Sequence, residues 1–283
     1  MVFVIFSYLC TVEPPKPFKD MKKRVILSFI AALLMQLTTV SADNYTDGIT
    51  KLMDNEAISS FNTKMFEQLS QTPNVDVEYF KFQLKNDAAE WIADHYRKNM
   101  PEKDFSDMVS FFLQPEVLAI QKKVLSAVAS SQGEEVKQKL FPQMMALIMG
   151  GTPEDLQEPD CDPELKKEIL HWMDVNFARE NFKASIEAAK SVVADNALAN
   201  SKLPEEQKER VTKTMNGVLS FMERNTTPLL MMYMVGKVDL HDMQVLNSIE
   251  KEPFYESYKK TNLSLANDVS TLLAKVVAHM KKN

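Results

Sequence analysis

Four histidines are the first side chains here to ask about acid–base or metal chemistry, because imidazole changes charge near neutral pH without help from its surroundings. They are His95, His171, His241 and His279. No two stand at the i, i+4 spacing that turns a pair of imidazoles toward one zinc ion, and nothing reads His-Glu-x-x-His, so no metal is expected. His95 lies in Asp94-His95-Tyr96 and His241 in Leu240-His241-Asp242. Each has an acid neighbour, but adjacent residues on a helix point apart.

The acids fit capping better than catalysis. Asp239 can accept from the free donors of a helix beginning at Leu240, and Asp242, three residues on, suits the negative charge favoured in a first turn. Glu102 and Asp104 behind Pro101 fit the same role. A metal held between Asp104 and Asp242 is the competing reading. There is no nucleophile elbow or Cys-His pair, and Gly150-Gly151-Thr152 lacks the lysine of a phosphate loop. The chain leans away from an enzyme, and no cofactor is expected.

Methionine is the unusual component, at 18 residues. Met144, Met145 and Met149 follow Pro142, and Met231, Met232 and Met234 follow Pro228. Unbranched, polarisable thioethers suit adaptable apolar surfaces. We therefore take Met144, Met145, Met231, Met232 and Met234 as candidate ligand-binding residues, lining a groove for a hydrophobic ligand or a partner helix. Core packing is the other reading of the same runs.

The elements that position these residues are helices, and the chain is written twice. Adding 138 to a position in the first half carries Met100 to Val238, Asp104 to Asp242, Phe105 to Met243, Met108 to Leu246, Phe111 to Ile249 and Pro115 to Pro253. The apolar residues recur every three or four positions, which puts them on one face of a short helix. Each proline then stops one helix and can start the next.

This motif resembles the bacterial domain of unknown function 2059 family. Its core reads roughly Tyr, a short gap, Phe-Thr, two variable residues, Glu-Leu, then Phe-Tyr-x-Ser-Pro. Tyr96, Met100, Asp104, Phe105, Phe111, Phe112 and Pro115 stand at family positions in the first half, and Val238, Asp242, Met243, Ile249 and Pro253 in the second. The family's serine before the proline is Gln114 and Glu252 here, its Gly-Lys after the proline is absent from both copies, and Glu250 stands where Phe112 has its counterpart. The resemblance covers about thirty residues of each half. It implies a small helical domain of the envelope or of the secreted fraction, and it supplies no catalytic residues.

Read in order, residues 1–20 look like an extension ahead of the true start at Met21. Lys22-Lys23-Arg24, the apolar run from Val25 to Leu37 and the small residues Val40-Ser41-Ala42 then form a signal peptide over 21–42. The apolar run is short of the ~20 residues that a spanning helix needs, so no stable membrane span is expected after cleavage. The mature chain reads as helices at Ile49–Leu69, Val77–Lys98, the first motif with its continuation toward Ser130, and Glu134–Met149, with a kink or fresh start at Pro142. Acidic, proline-bearing residues 150–163 read as a linker between a helical domain at 43–149 and another at 164–283. Further helices are expected at Glu164–Ala199, as one or two, and at Pro204–Glu223, Pro228–Val235 and about Pro253–His279.

Composition agrees with an all-α fold of two tandem helical bundles. Glycines number only 6, against abundant helix formers. The net charge is −6, and without residues 1–42 the chain holds 28 basic and 37 acidic side chains, a balance of −9. Such a balance argues against nucleic acid as a partner, which needs a basic face. Cys161 is then the sole cysteine, so no disulfide within the chain is expected. The function expected is a non-catalytic binding or scaffolding module, exported to the periplasm or beyond, with its oligomeric state left open. The alternatives are an envelope hydrolase with acids or histidines brought together from the two halves, and a purely structural pair of domains.

Overall fold

The computed structural model describes residues 44–56, 58–60, 63, 89–129, 133–192 and 204–265. The expectations for residues 1–42, for His279 and for the helix stretches at 64–88, 193–203 and 266–283 lie outside them. The fold is all-α, with no strand among the described residues. Among the described residues, ten helices with defined bounds are followed by a short 3-10 turn and a last helix, and residues 56, 58–60 and 63 are helical as well. The ten are α1 (Asn44–Met53), α2 (Ala89–Asn99), α3 (Glu102–Phe112), α4 (Pro115–Ala129), α5 (Gly133–Ile148), α6 (Pro163–Val175), α7 (Ala178–Val192), α8 (Glu205–Arg224), α9 (Thr226–Met234) and α10 (Leu240–Asn247). After the 3-10 turn Ser248–Lys251 comes α11, helical over 255–265.

The first motif forms α3 for the reasons its spacing gives. Pro101 precedes the helix in an extended conformation, Glu102 and Asp104 stand in the first turn, and Phe105, Met108, Val109 and Phe111 point into the core. The second motif forms α10 with a full capping box: Asp239 accepts from the Asp242 backbone at 2.9 Å and Asp242 accepts from the Asp239 backbone at 3.0 Å. Pro115 starts α4, where its missing donor costs nothing.

One element differs from the sequence reading, and two that the sequence left open take one form. The first helix starts earlier, at Asn44, and breaks after Met53. Helix α5 runs through Pro142 without a fresh start. The stretch from Glu164 divides at Asn176 and Phe177, where Phe177 takes φ 52 although neither glycine nor proline is present. Packing holds that bend, since the Phe177 ring is buried against Tyr258 at 6.3 Å.

Hydrophobic contacts run across the segment at 150–163 in one continuous core. Phe111 of α3 meets Phe254 at 6.1 Å, and Phe112 meets Tyr258 at 5.8 Å. Polar contacts follow the same route: Tyr96 donates to Asn262 at 2.8 Å, and His95 lies 3.1 Å from the Thr261 carbonyl. Residues 151–162 have no regular structure but are tied down, as Leu156 is buried and its N–H donates to Asn225 at 2.6 Å.

Close packing also fixes α1 on α3. A methyl group added at Gly48 would stand 2.7 Å from Cε1 of Phe105 and 2.9 Å from Cγ2 of Val109, so glycine is what lets the two helices approach.

Candidate docking face

The three described histidines are engaged in structure. A carbonyl can only accept, so His95 carries its proton on Nε2 and donates to Thr261, joining α2 to α11 in the interior. His241 sits at the surface 2.9 Å from Glu116, and His171 is 3.1 Å from Glu250. Asp242 caps α10 and is clasped by Lys123 at 2.6 and 2.7 Å, whereas Asp104 accepts from Ser257. The two acids therefore have separate partners. No group of three or more His, Cys, Asp or Glu side chains fit to hold a metal occurs among the described residues.

Buried phenols are shifted in turn. Burial drives the Tyr96 hydroxyl well above the usual tyrosine range, with Tyr258 adding to the shift, and burial does the same at Tyr233 and Tyr258. Such groups stay neutral, as core residues do. The thiol of Cys161 is also pushed up by burial, and so is not poised as a thiolate. An open cleft of about 620 Å³ runs along α6 past Lys166, Lys167, Glu168, His171 and Asp174. Four of these already have partners: Lys166 pairs with Glu158, Glu168 accepts from Asn247, His171 meets Glu250 and Asp174 pairs with Arg179.

The methionine runs divide between core and surface. Met231 and Met234 are buried on α9, with Met232 half-buried and packed against the same core. Helix α9 is apolar on every side, as a helix surrounded by others must be. On α5, Met144 is 3% exposed and points inward beside Leu140. Its neighbour Met145 lies about 100° further round the helix and is half-buried. Both methionine helices pack against α4 and α8.

The outer side of α5 has a pattern of its own. Phe141, Met145 and Met149 follow one another at four-residue intervals, and Pro142 is exposed beside them. Phe141 is 36% exposed and Met149 is 79% exposed. The Met149 N–H bonds to the Met145 carbonyl at 2.9 Å, so helical register continues past Ile148 and keeps the three side chains in one stripe. Gly150 then closes the helix with φ 81, as the Gly150 N–H reaches Leu147 O and the Gly151 N–H reaches Ala146 O at 2.7 Å.

Negative charge gathers at this end of α5. The helix C-terminus contributes the partial charge of its last carbonyls. The acidic segment that follows bears exposed Glu154, Asp155, Glu158 and Asp160, and is fastened to α5 where the Glu154 N–H donates to Gln143 at 2.7 Å. Further back, Pro142 leaves the Gln138 carbonyl without its ordinary i+4 donor. Lys139, also exposed, lies toward the other end.

Of the residues expected to line a groove, only Met145 stands on this exposed face, and Met232 is half-buried elsewhere. Phe141, Pro142 and Met149 complete the face, and sequence reasoning passed them over as site residues. The four-residue spacing was there to read, but it does not tell the inner face of an apolar helix from the outer one. No described helix is long and apolar enough to cross a membrane. No family model, curated protein or solved structure matches the chain.

Proposed function

We propose that this protein is a non-catalytic binding module that docks a cationic amphipathic helix on the outer face of α5. The observation that carries this reading is an apolar stripe at helical spacing, with Met149 exposed at its end, Met145 half-buried and Phe141 partly exposed. Thioethers of this kind adapt to the knobs of a partner helix, as in other helix-in-groove recognition. Glu154 and Asp160 of the acidic segment and the negative end of α5 supply the complement for lysine or arginine on the partner's flank, Asp155 and Glu158 being already paired with Arg224 and Lys166.

The place of action we propose is the bacterial envelope. That part rests on the signal-peptide pattern at residues 21–42 and on the resemblance of both motifs to the domain of unknown function 2059 family.

The test is fluorescence anisotropy with a synthetic Leu/Lys peptide patterned as an amphipathic helix, with a Leu/Glu peptide of the same pattern as control. The wild-type chain is expected to favour the Leu/Lys peptide, and Met145→Ser with Met149→Ser to weaken it by roughly tenfold or more with the circular dichroism unchanged. Equal binding by the wild type and the double variant would refute the reading.

A further inference from the structure

Met149 is the most exposed methionine among the described residues, and the structure assigns it as an oxidation site that regulates the docking face. This inference rests on the reading of that face given above. Met149 stands 79% exposed at the end of α5, next to Gly150, around whose missing side chain nothing lies within 4 Å. Met144, on the same helix, is 3% exposed, and Met231 on α9 is fully buried. Peroxides attack thioether sulfur by direct approach, so access decides which methionine reacts first. The core methionines are shielded by their packing.

The chemistry closes on named reagents. A lone pair on the Met149 sulfur attacks one oxygen of hydrogen peroxide, the O–O bond breaks, and an S–O bond forms. Sulfur loses two electrons, and the departing hydroxide takes the proton from the new S–OH group and leaves as water. The product is a sulfoxide, a strong dipole with an acceptor oxygen where an apolar group stood. It is placed at the C-terminal end of the apolar stripe, where the partner's apolar face is proposed to lie. Desolvating that dipole opposes docking. A thiol-dependent sulfoxide reductase reverses the step, removing the oxygen as water while two thiols become a disulfide.

The experiment treats the full chain with limiting hydrogen peroxide, maps the added oxygen by peptide mass spectrometry, and measures Leu/Lys peptide binding before and after. We expect the peptide bearing Met149 to gain oxygen well ahead of those bearing Met144 and Met231. Affinity should fall by several-fold, and sulfoxide reductase with a thiol should restore it. Met149→Leu is compared only with itself, and its affinity should be the same before and after peroxide. Oxygen entering the Met144 or Met231 peptide as fast as that of Met149 overturns the site. Selective oxidation of Met149 with unchanged affinity overturns the regulation. If the untreated chain does not bind the peptide, the docking reading fails and the regulation with it, while the mapping still decides the site.

Discussion

Lys123 on α4 holds both carboxylate oxygens of Asp242, the acid in the first turn of α10, at 2.6 and 2.7 Å. The acid at the matching position of the other motif, Asp104 on α3, accepts from Ser257 on α11. Each acid is thus held by the helix that follows the other motif's proline. Helices α2 and α11 are joined in the same manner through Tyr96 and His95. The two sides of the 150–163 segment are stitched together by polar groups that would be costly to leave unpaired.

Asp242 should matter for stability more than its surface partner does. The carboxylate is buried and completes the capping box, so Asp242→Ala removes a cap and leaves the Asp239 N–H unmet, at an expected cost of about 1–3 kcal/mol. Lys123→Met should cost less, because the lysine is half exposed. Urea denaturation of the two variants checks the order, and a reversed order would contradict it.

Two buried tyrosines should respond oppositely to loss of the hydroxyl. Tyr96 donates to Asn262, and Tyr96→Phe should destabilise the chain by about 1 kcal/mol. The Tyr233 hydroxyl is buried and finds no partner among the described residues, so Tyr233→Phe should be neutral within about 0.5 kcal/mol or stabilising. Thermal melts of the pair decide the matter.

Alkaline pH should unfold the protein through the same phenols. Tyr96, Tyr233 and Tyr258 keep their protons in the folded state because burial raises their pKa, while the unfolded chain releases them. Their stabilising contribution is full below about pH 10, the value of a free tyrosine, and is lost as pH rises above it toward the folded values. Near-ultraviolet absorbance of tyrosinate should therefore appear together with loss of helical circular dichroism. Ionisation of all tyrosines with the helices intact would contradict this.

Much of this architecture was legible because helix signals are local. The three- and four-residue spacing in Phe105, Met108 and Phe111, the proline at 115 and the acids at 239 and 242 each act within one turn, and each does in the structure what its type dictates. The bend at Phe177 was not legible, since tertiary packing and no turn residue makes it. Nor was the tie between Leu156 and Asn225, which joins residues far apart in sequence. The candidate site was half legible. Methionine runs can be seen in a sequence, but whether Met144 or Met145 faces outward depends on which side of α5 meets α4 and α8.

A cationic helix seated on the outer face of α5 would change the surroundings of the methionines there and of no others. The most direct measurement is nuclear magnetic resonance of methionine methyl groups during titration with the Leu/Lys peptide. The Met145 and Met149 signals should move with the peptide while those of Met144 and Met231 stay in place. Movement of the core methionines with Met149 unmoved would contradict it.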